Sequence, residues 1–273
     1  MRLVLIAFAA ALLAAPALAQ APAADWRTPD PENTLVIDTN KGRILVEMEP
    51  AIADAHVERI KTLTRRKFYD GLKFFRVIED FMDQTGDPQN TGEGDSDLPN
   101  LPPQFSFGRT PKTPFVQVAR TGSAVVGFVG ATPVQTQPDD LMALMATPKV
   151  SAMGLFCPGV MGMARSEEPD TGNSQFFLMR GPFPRLNGKY TAWGRVISGL
   201  DVVRAIKTGE PVEEPMDRMT QVRVMADIPV AERPKIQVQN LAGPAFKAYA
   251  AGVVAAKGPA FDICDLEIRA EVR

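Results

Sequence analysis

Apolar and polar residues alternate along two neighbouring stretches of the chain, Thr34–Asp38 and Arg43–Met48. A period of two is typical of a β-strand with one buried face. The four residues between the stretches, 39–42, read Thr-Asn-Lys-Gly, and a glycine in the last position takes a positive φ without strain. The pattern therefore predicts a β-hairpin.

A helical period follows the hairpin. Over Ala55–Lys67 the apolar residues Val57, Ile60 and Leu63 recur every third position, which predicts a helix with His56 at its surface or boundary. The other predicted elements of this region are strands over Phe74–Ile78, Thr191–Ile197 and Gln221–Ala226 and a second helix over Gly199–Lys207. Short strands with two helices predict a mainly β domain, either a sandwich or a closed barrel.

Two segments are predicted as additions to this domain. Residues 108–156 hold five prolines between short apolar pieces, with one short helix predicted over Asp139–Ala146. Residues 229–273 are predicted as a C-terminal extension, with a helix over Pro244–Ala256 and a strand over Asp265–Val272.

The N-terminus has the pattern of a secretory signal peptide. A basic residue precedes an apolar stretch over Leu3–Ala15, and Ala17-Leu18-Ala19 supplies a small-residue cleavage pattern. The apolar stretch is shorter than the roughly 20 residues that cross a bilayer. We therefore predict a signal peptide over residues 1–19, cleaved after its last alanine, with Ala21 as the second option.

Residues 20–33 are rich in alanine, proline and aspartate, which predicts a flexible leader before a main domain that spans residues 34–228. No later segment has the roughly 18 uninterrupted apolar residues of a membrane span. A cleaved signal peptide without an anchor predicts a periplasmic or secreted protein with no membrane anchor.

Charge excludes one class of partner. The 273-residue chain has 23% charged and 45% hydrophobic residues and a formal net charge of −2, which becomes −3 when the signal peptide and its one arginine are removed. Phosphate binding requires clustered lysine and arginine, so nucleic acid is not a predicted partner. Nothing in the sequence indicates self-association, and a monomer is predicted.

The chain has two cysteines, Cys157 and Cys264. In an oxidising compartment an even number permits one disulfide, which would connect the middle of the chain to the extension. Two separate buried thiols are the alternative. Two cysteines and the single histidine, His56, do not match the ligand set of a zinc site, so no metal is predicted.

Common hydrolase and cofactor motifs are absent from the sequence. A Ser-His-Asp or Cys-His centre needs a histidine beside the nucleophile, and His56 lies on the flank of a predicted helix. The sequence has no G-x-S-x-G, phosphate-binding loop or H-E-x-x-H motif. These absences argue against the usual hydrolase and cofactor enzymes.

Three segments, in a fixed order, carry a specific pattern. Residues 74–87 read FFRVIEDFMDQTGD, residues 163–177 read MARSEEPDTGNSQFF, and residues 186–194 read LNGKYTAWG. In these segments the chain resembles the cyclophilin family of peptidyl-prolyl isomerases. The resemblance covers about residues 34–107 and 157–227, and the loop between them is enlarged.

The resemblance implies a mainly β fold, an eight-stranded antiparallel cyclophilin-like barrel capped by two helices, with a shallow groove for proline-containing polypeptides on its outer surface. It places Arg76 at the position of the catalytic arginine and implies no cofactor. The residues that it implies for substrate binding are Phe81, Met82, Phe177 and Leu186 around the proline ring, Gln84 and Gln175 on the peptide backbone, Ala164 and Arg165 along the peptide, and Tyr190 in the groove wall.

These residue types suit the chemistry of X–Pro rotation. Amide resonance gives rotation a barrier of about 18–20 kcal/mol. Rotation localises a lone pair on the proline nitrogen, so a guanidinium that donates to this nitrogen binds the twisted amide better than the planar one. Arg76 would act in this way without proton transfer, because arginine stays charged and presents a planar set of donors.

Three positions depart from the family pattern. Phe75 stands where many members carry a histidine, Tyr190 replaces a second histidine, and Arg185 stands where eukaryotic members often carry tryptophan. The first two change the groove wall and leave the arginine mechanism intact.

The sequence thus leaves two functions open: an isomerase acting on exported proteins, and a cyclophilin-like peptide-binding or chaperone module with weak or no catalysis.

Overall fold

The computed structural model describes residues 23–272. The signal peptide predicted for residues 1–19 lies outside the described residues, as do residues 20–22 of the predicted leader. The strands and α-helices are, in chain order, β1 (Trp26–Arg27), β2 (Thr34–Thr39), β3 (Gly42–Met48), α1 (Pro50–Arg65), β4 (Arg76–Ile78), β5 (Met82–Thr85), β6 (Phe107–Arg109), β7 (Phe115–Thr121), β8 (Ala124–Val129), β9 (Thr132–Thr136), α2 (Asp139–Ala143), β10 (Val150–Gly154), β11 (Val160–Met163), β12 (Phe176–Met179), β13 (Ala192–Ser198), α3 (Leu200–Arg204), β14 (Met219–Val224), β15 (Ile236–Gln239), α4 (Pro244–Lys257) and β16 (Ala270–Val272).

The main sheet has eight antiparallel strands in the order β14-β2-β3-β13-β11-β12-β5-β4. It curls, because the segments that lead into its two edge strands bond to each other. The Gly71 amide donates to the Met219 carbonyl at 2.8 Å, and the Phe74 amide donates to the Asp217 carbonyl at 2.9 Å. The mainly β, eight-stranded antiparallel fold predicted from the sequence is confirmed.

Helix α1 lies against β13 and β14, and α3 lies against β3. Val57, Ile60 and Leu63 of α1 are fully buried, as the helical period predicts. A first turn begins at Pro50, where proline is tolerated, and a kink at Ala53 (φ −149°, ψ 71°) follows it. The continuous helix after the kink starts close to the predicted Ala55. His56 is buried at 2% exposure, so the prediction that it lies at the surface or boundary of the helix was wrong. Its Nε2 lies 3.1 Å from the Pro102 carbonyl oxygen.

The N-terminus of α1 carries a partly buried carboxylate. The Glu49 side chain caps the helix, since its Oε1 accepts from the Ala51 amide at 3.3 Å. Burial raises the pKa of Glu49 to about 7, the nearby Glu47 adds to the rise, and the Ala51 amide and Arg27 oppose it. The folded state therefore holds this proton at a pH where the unfolded chain has released it.

We expect Glu49 to make stability depend on pH. The unfolded chain releases the proton near pH 4.5 and the folded state near pH 7, so the free energy of unfolding falls as pH rises through this window and levels off above it. The expected loss from Glu49 is about 1–3 kcal/mol, and Glu49→Gln should reduce the slope. Asp83, whose pKa burial also raises to about 7, accounts for the part of the slope that remains. Urea unfolding from pH 5 to 8 measures the slope, with the exposed Glu232→Gln as control. A wild-type slope in Glu49→Gln would assign the dependence to other groups.

The insert, residues 108–156, forms most of a second antiparallel sheet, which the sequence pattern did not predict. Its strand order is β6-β10-β9-β8-β7, with the short helix α2 between β9 and β10. Phe128 of β8 contacts Phe246 of α4, with ring centroids 5.8 Å apart. The insert and the C-terminal extension thus share a core.

The C-terminal extension holds the predicted helix, α4, but differs in its strands. The predicted strand over Asp265–Val272 is reduced to β16, since a 3₁₀ turn ends at Asp265 and residues 266–269 have no regular secondary structure. An additional strand, β15, pairs with both β16 and β1. None of the described helices is long and apolar enough to span a membrane.

The leader predicted as flexible is ordered over its described part, residues 23–33. Its strand β1 pairs with β15, and Arg27 Nη2 donates to Glu47 Oε2 at 2.7 Å. Asp25 Oδ1 accepts from the Ala245 amide at 2.9 Å, at the start of α4. The prediction was wrong for these residues because two of their partners, β15 and Ala245, belong to the C-terminal extension.

A disulfide joins Cys157 to Cys264, with 5.1 Å between the Cα atoms and 107 residues between the cysteines in sequence. Of the two states that the sequence leaves open, the structure therefore contains the bonded one. Cys157 is fully buried just before β11, and Cys264 lies in the 3₁₀ turn of the extension. The bond fastens the extension to the main domain.

Candidate active site

Three neighbouring strands place two polar side chains and one apolar side chain in one row. Arg76 of β4 faces Gln84 of β5, and Gln84 faces Phe177 of β12. Directly opposed residues on antiparallel strands project from the same face of the sheet. Phe176, the neighbour of Phe177, projects to the other face, where it is fully buried against Trp193 with ring centroids 5.7 Å apart. Phe176 is therefore a core residue.

The row borders an open cavity of about 90 Å³. Its floor is apolar and consists of Met82, Phe177 and Leu186, each of which is less than one tenth exposed. The side chains that line it are Arg76, Phe81, Met82, Gln84, Ala164, Arg165, Phe177, Leu186 and Tyr190. Of the residues that the sequence predicts for catalysis and substrate binding, only Gln175 is missing from this lining.

Aromatic rings hold the floor of the cavity in place. Phe177 stacks on Phe156 at 5.8 Å between ring centroids, and Tyr190 meets it edge-on at 5.9 Å. Gly162 on β11 leaves room for the ring, since a Cβ there would lie 2.2 Å from Phe177 Cζ. Phe81 packs against Phe183 at 4.3 Å on the cavity rim. The shape of the pocket thus depends on close packing beneath it.

A chain of hydrogen bonds fixes the polar side of the cavity. Arg76 Nη1 donates to Gln84 Oε1 at 3.3 Å, and Gln84 Nε2 donates to Gln175 Oε1 at 2.9 Å. Gln175 Nε2 in turn donates to the carbonyls of Gly92 and Gly94, at 3.0 and 2.9 Å. Each amide is oriented by the next, so the backbone of the 92–94 loop sets the orientation of Gln84 beside Arg76.

Gln175 lines a second cavity, of about 310 Å³, that adjoins the first and shares Gln84, Ala164 and Arg165 with it. Arg165 is held against the groove wall, because its guanidinium lies 4.4 Å from the centre of the Tyr190 ring and donates to nearby backbone carbonyls. Together the two cavities form an extended groove rather than a closed pocket. An extended groove suits a polypeptide substrate.

A buried ion pair supports the strand that carries Met82 and Gln84. Arg180 Nη1 donates to Asp83 Oδ1 at 3.0 Å, and the same nitrogen donates to the carbonyls of Val203 and Ile206. Burial raises the pKa of Asp83 to about 7, and the Arg180 guanidinium opposes this rise. The pair joins β5 and β12 to the end of α3 behind the groove, and sequence reasoning did not detect it.

Sequence reasoning also missed Glu210. Arg76 Nε donates to Glu210 Oε1 at 2.7 Å, which places an acid directly at the predicted catalytic residue. Glu210 belongs to no motif and to no periodic element, so no local signal in the sequence marks it. Only the tertiary fold brings it to Arg76.

The arrangement combines a cation at the rim with an apolar floor. Such a site binds an apolar ring and offers N–H donors to an adjacent polar atom, which requires neither a nucleophile nor a metal. Among the described residues, one group has the spacing of metal ligands, namely Cys157, Asp262 and Cys264. Both of its cysteines are in the disulfide and supply no thiolate.

Comparison with known proteins agrees with these features. Residues 34–228 match the family described as cyclophilin-type peptidyl-prolyl cis-trans isomerase/CLD. A Brucella suis protein named probable peptidyl-prolyl cis-trans isomerase is 35% identical over 195 residues, covering 67% of this chain and 76% of that protein. The isomerase ppi1 of Schizosaccharomyces pombe is 30% identical over 183 residues, covering 65% of this chain and 90% of its own.

A solved structure extends the likeness beyond the family domain. Cyclophilin AquaCyp293 from Hirschia baltica superimposes with a TM-score of 0.83 and 33% sequence identity, covering 92% of this chain and 95% of that protein. Coverage of 92% of this chain is reached only if parts of the insert and of the C-terminal extension are included in the superposition. The chain therefore belongs to the family of cyclophilin-type peptidyl-prolyl cis-trans isomerases.

Proposed function

We propose that this isomerase acts on X–Pro bonds of exported polypeptides and that Arg76 is its catalytic residue. The observation that carries the proposal is the position of the Arg76 guanidinium at the rim of an apolar cavity, where its side chain is 38% exposed. From there it can reach the backbone of a peptide whose proline occupies the cavity.

The apolar floor would hold the proline ring while the rest of the peptide turns. Met82, Phe177 and Leu186 offer contacts to the ring and exclude water from the adjacent donors. Water exclusion strengthens each hydrogen bond to the reacting amide because the local dielectric constant is low. A fixed proline ring and a hydrogen-bond donor that is shielded from water are the two requirements for favouring the twisted amide.

The Arg76 guanidinium would donate to the proline nitrogen as rotation localises its lone pair. The planar amide lacks this acceptor, so the interaction strengthens on the way to the transition state and lowers the barrier. Lowering the barrier by about 6 kcal/mol accelerates rotation about 10⁴-fold. Gln84 and Gln175 would orient the peptide backbone, and their mutual hydrogen bond keeps both amides pointed in a defined direction.

Export is supported by the N-terminal sequence. The apolar stretch and the A-x-A pattern predict cleavage after Ala19, and the disulfide fits an oxidising compartment. A periplasmic or secreted location would give the enzyme newly exported chains as substrates. Such chains populate cis X–Pro bonds that isomerise slowly without a catalyst.

One experiment tests substrate class and export together. The full-length chain is produced in a Gram-negative host, and the protein is recovered from the periplasmic extract and analysed by N-terminal sequencing. We expect the mature protein to begin at Gln20. At a small fraction of the peptide concentration, it should accelerate cis–trans exchange of an X–Pro tetrapeptide, as measured by NMR.

Two results would contradict the proposal. Recovery of the uncleaved chain from the cytoplasm would contradict export. A protein that slows exchange or shifts the cis–trans ratio only at stoichiometric amounts would be a peptide-binding module, the alternative function that the sequence leaves open. Catalysis at substoichiometric amounts excludes that alternative, because only turnover accelerates exchange of the whole pool.

A further inference from the structure

The free edge of β4 is covered by a short segment, residues 209–212. The Val77 amide donates to the Gly209 carbonyl, and the Gly209 amide donates back to the Val77 carbonyl, both at 2.8 Å. The Val212 amide donates to the Phe75 carbonyl at 2.9 Å. These bonds hold the segment alongside the strand that begins with Arg76.

Within this segment Glu210 meets the Arg76 guanidinium. Glu210 Oε1 accepts from Arg76 Nε at 2.7 Å and lies 2.6 Å from Nη2. On the opposite edge of the guanidinium, Nη1 donates to Gln84 Oε1 at 3.3 Å. The guanidinium is therefore held from two sides, by a carboxylate and by an amide.

We infer that Glu210 is a positioning residue, which fixes the plane of the Arg76 guanidinium and leaves its remaining Nη protons to the substrate. This inference rests on the catalytic role proposed for Arg76. A free arginine side chain loses rotamer entropy when it is held in one productive geometry. A carboxylate on the Nε edge removes part of that cost before the substrate binds.

The same loop contains a matched control. Glu214 also precedes a proline, but its carboxylate pairs with Lys73 and accepts from the Met216 amide at 2.9 Å. Both acids are exposed, with 55% of the Glu210 side chain and 60% of the Glu214 side chain accessible. A general effect of loop charge would therefore appear in variants of either residue, whereas positioning of Arg76 would appear only in variants of Glu210.

The first test compares alanine and glutamine variants. Glu210→Ala is expected to lower kcat about 2- to 5-fold with KM nearly unchanged, which is the range of a single exposed ion pair. Glu210→Gln should recover most of the rate, because its amide oxygen can still accept from Nε. Glu214→Ala should retain the wild-type rate, and all three variants should keep the wild-type melting temperature.

The second test asks whether Glu210 acts through Arg76. In the Arg76→Ala background, Glu210→Ala is expected to have no further effect on the rate, since coupled residues give a non-additive cycle. An equal loss in both backgrounds would overturn the inference, and so would a Glu210→Ala enzyme as fast as the wild type or faster. If Arg76→Ala itself leaves the rate unchanged, the proposed function fails instead, so the two failures are distinguishable.

Discussion

Replacing Arg76 with alanine is expected to lower kcat/KM for X–Pro peptides by about 10²–10³, the usual cost of removing one transition-state donor. Arg76 and Arg165 are the two charged donors in the lining of the proline cavity, but Arg165 already donates to the backbone carbonyls of Ser166 and Lys189. Gln84 beside Arg76 offers only a neutral amide. Arg76→Lys keeps the charge but not the planar set of donors, so it should recover little of the lost activity. Steady-state isomerisation kinetics measure both variants.

The control for this prediction is another arginine. Arg120 in the insert is exposed and pairs with Asp140, away from the cavity lining. Arg120→Ala should keep wild-type kinetics. If Arg76→Ala retained activity within about 3-fold of the wild type, the loss would be below that of a catalytic donor, and the proposed mechanism would be refuted.

Removing the disulfide is expected to lower the free energy of unfolding by about 2–5 kcal/mol. The bond between Cys157 and Cys264 closes a loop of 107 residues, so its loss gives the unfolded chain much more conformational freedom. The corresponding fall in melting temperature is roughly 5–15 °C for a chain of this size. Alanine is the suitable replacement at Cys157, because this site is fully buried and a hydroxyl there would need a partner.

Reduction supplies an independent check of the same bond. A mild reductant should lower the melting temperature of the wild type to that of the double variant, Cys157→Ala with Cys264→Ala. The reductant should not change the double variant further. If reduction left the wild-type melting temperature unchanged, the bond would contribute nothing to stability, and the extension would be held by its packing alone.

Local patterns predicted elements whose backbone hydrogen bonds are formed within the element or with the next strand. The β2–β3 hairpin follows from alternation on either side of a four-residue turn, and α1 follows from its apolar period. The insert sheet was not predicted, because its five prolines indicated a loop, although β7–β8 and β8–β9 are local strand pairs. One of these prolines, Pro133, lies inside β9, and the strand pairs β10–β9 and β10–β6 join distant parts of the insert.

The site residues also divide into those that local sequence patterns predict and those that they do not. Arg76, Gln84 and Phe177 could be named from the sequence because contiguous motifs carry them, and the sheet register then brings them into one row. Two ion pairs could not be predicted from any local pattern in the sequence. Glu210 is 134 residues from Arg76, and Arg180 is 97 residues from Asp83, so only the folded chain reveals either pair.

The central claim, that Arg76 accelerates rotation of a proline bound in the cavity, is tested most directly at saturation. NMR exchange spectroscopy on an X–Pro peptide gives the cis–trans rate of the bound peptide, and the same titration gives its Kd. For Arg76→Ala we predict a Kd close to that of the wild type and a bound exchange rate lower by about 100-fold or more. Equal bound exchange rates in the two proteins would contradict the account.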